Sequence, residues 1–63
     1  MKLIELHLDD DNTKKIAVNP LNIATIVQLS AGTRIYFTDA SNRATVEEDY
    51  YKVLMMINDA MDK

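Results

Sequence analysis

TVEEDYYKVLMMINDAM, residues 45–61, is the segment with a long helical period, and its reading decides the fold. Tyr50, Val53, Leu54, Ile57 and Met61 recur at steps of three and four, which places them along one side of a helix. Thr45 is the expected N-cap. Its hydroxyl is three residues ahead of Glu48, the spacing at which hydroxyl and carboxylate satisfy each other's backbone N–H groups in a capping box. Glu47, Glu48 and Asp49 then put negative charge into the first turn, where unpaired N–H groups favour it. The helix is therefore expected to run from Thr45 to Met61, with Lys52 on its solvent side.

One helix does not make a fold. The chain has 63 residues, enough for a single small domain over 1–63 whose core is barely sufficient for stability. A sheet must bury the helical stripe. Cysteine is absent, so disulfides, thiolate metal sites and cysteine nucleophiles are excluded, and a reducing cytoplasm is the expected setting. No apolar run approaches the roughly twenty residues that cross a bilayer. Glu5, His7 and Asp9 interrupt the N-terminal apolar pattern that a signal peptide would need.

Upstream of the helix the period changes to two. Ile4, Leu6 and Leu8 alternate with Leu3, Glu5 and His7 across Lys2 to Leu8, the pattern of a strand with one buried face. Asp9, Asp10, Asp11, Asn12 and Thr13 form a turn, because Asx side chains bond nearby backbone and Asn12 tolerates positive φ. A calcium loop begins similarly, but Lys14 stands where its glycine belongs and Pro20 where its terminal glutamate belongs. Lys14 to Val18 is a second strand, with Ile16 and Val18 inward and Lys15 and Ala17 outward. Asn19 and Pro20 end it, since proline has no N–H for a ladder.

After a corner at Leu21 to Ile23, Ala24 to Leu29 is a third strand, Ile26 inward and Thr25, Val27 and Leu29 outward. The sole glycine, Gly32, lies in the Ser30–Thr33 turn, where a left-handed residue closes a hairpin. Arg34 to Thr38 is a fourth strand, Ile35 and Phe37 inward, Arg34 and Tyr36 outward. Asp39, Ala40, Ser41 and Asn42 turn the chain into a short fifth strand, Arg43 to Val46 at most. The order implies an α+β domain: an antiparallel β-meander of four to five strands with one C-terminal helix packed on one face.

Val18, Asn19, Pro20, Ile23, Ile26, Thr33, Ile35, Phe37, Val46, Glu47, Glu48, Tyr50, Val53 and Ile57 give residues 16–58 a spacing that resembles small bacterial flagellar motility proteins of the FlbD/SwrD type. That resemblance implies a strand, an Asn-Pro corner, a strand pair and a closing helix, in a protein with a motility-related role. The strand pattern also resembles the first half of LytTR-like DNA-binding domains. The basic segment that those domains use on DNA has no counterpart in this sequence, so their function is not carried over.

Chemistry is sparse. Glu5 and His7 share a strand face and could act as a carboxylate orienting a base, but a surface-facing structural His7 is the expected reading. Glu47, Glu48 and Asp49 are accounted for by the helix start. No glycine-rich phosphate loop and no metal-ligand spacing occurs, so the chain is expected to be no enzyme and to take no cofactor or metal.

Seven basic against ten acidic side chains give a net charge of −3, which argues against nucleic acid as a partner. A nucleic-acid-binding regulator using Lys14, Lys15, Arg34 and Arg43, should these gather on one face, is the alternative. Apolar residues outside the core point instead to protein contacts. Leu3, Val27, Leu29 and Tyr36 are expected on the sheet face away from the helix, and Tyr51, Met55 and Met56 on the helix flanks. A sheet covered on one side only leaves such a patch bare, and small domains gain missing core by oligomerising. A small accessory protein acting through protein–protein contacts is the expected function. Its partners would be a second copy of the chain, as a two-fold dimer, and a further unidentified protein.

Overall fold

Cross-strand apolar pairs build the first unit. In the computed structural model, which describes residues 2–11, 13–39 and 41–62, β1 (Ile4–His7) pairs antiparallel with β2 (Lys15–Val18). Ile4 stands opposite Val18 and Leu6 opposite Ile16, so alternation delivers four apolar side chains to one face. Asp11 makes the intervening turn: its carboxylate accepts from the Thr13 hydroxyl at 2.6 Å and the Thr13 N–H at 3.1 Å. The expectation for Asn12 lies outside the described residues, as does the placement of Ala40.

Asn19 ends β2 and starts a 3-10 turn, Pro20–Asn22, its side-chain oxygen accepting from the Leu21 N–H at 3.0 Å. Proline suits that first position because its missing N–H has no helical partner there. The turn feeds a three-stranded meander of β3 (Ile23–Gln28), β4 (Thr33–Phe37) and β5 (Arg43–Val46), in that spatial order. A bulge between Ile23 and Thr25 inserts Ala24 without a partner on β4. Both Ile23 and Ile26 can then face the core although three positions apart. Gly32, at φ 92°, closes the β3–β4 hairpin, and a Cβ there would run into the Val46 carbonyl. The Asp39 carboxylate holds the next turn, accepting from Ser41 and Asn42.

The domain is thus α+β, with five strands divided into a hairpin and a three-stranded sheet instead of one continuous meander. An isolated bridge between Leu8 and Val46 joins them. Around it the Asp9 N–H donates to the Thr45 carbonyl at 3.0 Å and the Glu47 N–H to the His7 carbonyl at 2.9 Å. The division follows from the Asn19–Pro20 corner, which turns the chain away before β3 can pair with β2. Leu6, Ile35, Val46 and Val53 are fully buried where the two sheets and the helix meet.

Helix α1 (Tyr50–Met61) begins later than the sequence suggests, its N-cap four residues beyond Thr45. Its N-cap is Asp49, whose carboxylate accepts from the Tyr51 N–H at 3.1 Å. Thr45 cannot cap it, because Thr45 is paired with Arg34 inside β5, and the Glu48 carboxylate is taken by His7. No acidic residue lies in the first helical turn; Glu47 and Glu48 belong to the junction before it. The buried stripe is also rotated. Val53 and Ala60 are buried, Met56 and Ile57 pack against the core, and Leu54 and Met61 are exposed. Ala60 moves inward because the N-terminal strand runs close to it, the Lys2 N–H reaching its carbonyl at 3.4 Å. A small side chain permits that approach.

Candidate functional site

The three-stranded sheet presents a row-by-row outer face. Register places Thr25, Tyr36 and Arg43 in one row and Val27, Arg34 and Thr45 in the next. The alternate residues Ile26, Ile35 and Ala44 point to the core side. Leu29, two residues beyond Val27, extends the same face. Of the apolar residues singled out in the sequence, Val27, Leu29 and Tyr36 therefore share this face, Val27 diagonal to Tyr36 and Arg34 in the row between Tyr36 and Leu29. Val27 is exposed, Leu29 and Tyr36 half-buried.

The remaining candidates lie elsewhere. Leu3 precedes β1 and is not on this face; it shares a shallow hollow with Lys2, Met56, Asp59 and Ala60 beside the helix end. Met56 is drawn into the edge of the core, because the helix is rotated toward Ala60. Tyr51 and Met55, 65% and 58% exposed, occupy successive turns of the helix's solvent side, with the Tyr51 ring edge-on to Tyr50 at 5.1 Å. The expected single patch is thus a sheet patch and a separate helix patch.

The basic residues do not gather. Lys15 lies against Glu5, Nζ to Oε1 3.7 Å, and Arg43 lines a surface hollow with Asp9 and Asp10. Arg34 and Arg43 do share the outer face with Tyr36, but Lys15 belongs to the other sheet and Lys14 to the turn before it. A continuous cationic groove of the sort that tracks phosphates is not formed by these four.

His7 carries the most defined polar geometry. Its Nδ1 lies 2.8 Å from Glu48 Oε2, and its backbone N–H donates to the same carboxylate at 3.0 and 3.1 Å. The Glu48 side chain is 8% exposed and the His7 ring 39%. The Glu48 carboxyl is held below its ordinary range: burial pushes it up, but the His7 ring and N–H bonds, with its own amide, outweigh burial. Glu5, the partner suggested by sequence, faces Lys15 instead. The clefts beside Arg43, Phe37 and Met56 do not include His7. The Glu48 contact spans 41 positions of sequence, and no local pattern could have announced it.

Among the described residues, no group of three or more His, Asp or Glu side chains is placed to hold a metal ion. Among the same described residues, no helix is long and apolar enough to cross a membrane. An apolar cleft of about 310 Å³ opens between β2 and the Phe37 and Ala44 side of the three-stranded sheet, lined by Leu8, Ile16, Ala17, Val18, Asn19, Asn22, Phe37 and Ala44. Comparison with known proteins adds no relative. No family model matches the chain, and no curated protein or solved structure does.

Proposed function

We propose that this protein is a non-enzymatic accessory module of the cytoplasm that acts through protein contacts and self-association, using the outer side of the three-stranded sheet. One observation carries the reading: Val27, Leu29 and Tyr36 lie on the same face of the sheet, around Arg34, away from the core. The core takes the other face, so burial of this patch requires a second molecule. The resemblance to flagellar motility proteins supplies the setting, an accessory role in motility.

Sedimentation at micromolar concentration tests the reading. A dimer is expected, and Leu29→Glu, which inserts charge into the patch, should shift it toward monomer. A chain that stays monomeric throughout would remove self-association. Swimming unaffected by deletion of the gene would remove the motility setting.

A further inference from the structure

The outer edge of β3 carries a more specific message than the face beside it. We propose that a second copy of this chain adds to the three-stranded sheet along the free edge of β3, antiparallel and two-fold, centred on Val27. The proposal rests on the self-association reading and specifies its contact. β3 is the end strand of its sheet, pairing with β4 on one side only. Hydrogen bonding alternates along an antiparallel strand. The Leu29 N–H bond to the Gly32 carbonyl, 3.2 Å, sets the phase. Val27 and Thr25 direct their backbone groups to β4, and Ile26 and Gln28 direct theirs to the open side.

End strands are usually defended by lysine, proline or inward charge. The other hairpin follows that practice: β2 is bounded by Lys14 and Lys15 at one end and by Asn19 and Pro20 at the other. β3 does not. Every residue from Ile16 to Thr33 is uncharged, and no proline interrupts Ile23–Gln28. The bulge at Ala24 twists only the start of the strand, so Thr25 to Gln28 remains a regular edge. Thr25, Val27 and Gln28 are exposed along it.

Self-pairing fits these groups. With Val27 on the two-fold axis, Ile26 exchanges both backbone hydrogen bonds with the partner's Gln28, and the reverse pair does the same. The open N–H and C=O groups of both residues are then satisfied. Val27 meets the partner's Val27 in the close, non-hydrogen-bonded position, and Thr25 meets the partner's Leu29, β-branched and aliphatic contacts that favour sheets. The chain's net charge of −3 does not oppose this approach, since none of it lies on the strip. Two copies meet there without like charges in contact.

Charge exchange at the axis is the experiment. Val27→Lys and Val27→Glu each place like charges opposite each other, so each should sediment as monomer with an unchanged circular dichroism spectrum. An equimolar mixture of the two should restore the dimer. The chain has no cysteine, so Val27→Cys supplies a second measurement that does not depend on how the charged variants fold. Directly opposed Cα atoms about 4.5 Å apart lie within disulfide reach. Val27→Cys should become a covalent dimer with diamide many times faster than Thr25→Cys.

A dimer that persists in both charged variants, or equal cross-linking at the two cysteines, overturns the edge pairing and leaves self-association standing elsewhere. An unmodified chain that is monomeric at all concentrations overturns both. Monomeric charged variants that do not recombine, with slow Val27→Cys cross-linking, would take Val27 off the two-fold axis and overturn this pairing.

Discussion

Glu48, at the junction between β5 and the helix, accepts from His7 through both the imidazole Nδ1 at 2.8 Å and the backbone N–H at 3.0 Å. The neighbouring Glu47 N–H returns a bond to the His7 carbonyl at 2.9 Å. One strand residue thus holds two consecutive junction residues. These bonds join the hairpin to the three-stranded sheet and fix where the chain leaves β5 to begin α1. Thr33 secures the other side, its buried hydroxyl donating to the Glu48 carbonyl at 2.8 Å.

Removing either partner should have unequal effects. His7→Ala deletes the ring bond and keeps the backbone one, costing about 1.5 kcal/mol, the low end for a bond to a charged group. Glu48→Ala deletes both and leaves the His7 N–H without its acceptor, costing about 2 to 3 kcal/mol. Urea denaturation of both variants checks the order. A larger loss for His7→Ala would mean that the ring packs for some other reason.

The same pair sets a pH dependence. Glu48 is held below its ordinary range in the fold, so the unfolded chain takes up a proton there first as pH falls. Its contribution is therefore complete above the ordinary carboxyl range and is lost as pH drops through the depressed folded-state value. Asp11 is also lowered, by the Thr13 hydroxyl and N–H, and contributes in the same direction. Comparison with Glu48→Gln cancels the Asp11 part. Between pH 7 and about pH 3 the unmodified protein should lose more stability than Glu48→Gln; parallel losses would show that Glu48 does not carry the dependence.

Gly32→Ala should be among the costliest single-methyl changes in the molecule. At φ 92° an L side chain is strained, and the added Cβ would collide with the Val46 carbonyl oxygen, which belongs to backbone and cannot rotate away. The expected loss is at least about 2 kcal/mol, the left-handed penalty plus displacement of β5. Ala31→Gly, one residue earlier, should stay within about 1 kcal/mol. Thermal denaturation of the two variants separates them.

Features written in short-range pattern were legible in the sequence. The alternation of Ile4, Leu6 and Leu8, the Asn19–Pro20 corner, the Gly32 hairpin and the Arg43–Val46 strand all appear where local chemistry places them. Features set by distant contacts were not legible, the His7–Glu48 pair among them. Thr45 with Glu48 makes a plausible capping box, but a cap is chosen by where the strand ends, and β5 pairing with Arg34 claims Thr45 first. Ala60 carries too little apolar weight to mark a stripe, yet its smallness lets the N-terminal strand come close. On the functional side, Val27, Leu29 and Tyr36 could be grouped from alternation. Leu3 could not be separated from them, since its neighbour is the helix end.

The cap prediction follows from that competition. Asp49→Ala removes the acceptor of the Tyr51 N–H and should cost about 1 kcal/mol, whereas Asp49→Asn should cost only a few tenths because its side-chain oxygen can still accept. The bond is exposed, so loss of packing does not complicate the comparison. Chemical denaturation with far-ultraviolet circular dichroism reads both midpoints. Equal midpoints for Asp49→Ala and the unmodified protein would return the cap to another residue.

The helical register is tested by two adjacent residues that the sequence pattern treats alike. Val53 and Leu54 both belong to the apolar stripe read from residues 45–61, but the structure buries Val53 fully among Leu6, Ile35 and Val46 and leaves Leu54 38% exposed. Val53→Ala removes two methyl-sized groups from a closed core and should cost about 2 kcal/mol, transfer loss plus the cavity left behind. Leu54→Ala removes a larger side chain yet should cost under about 1 kcal/mol, since part of it already faces water. Size alone predicts the opposite order. Denaturant midpoints for the two variants therefore decide which way the helix is turned, and a larger loss for Leu54→Ala would rotate it back toward Tyr50, Leu54 and Met61.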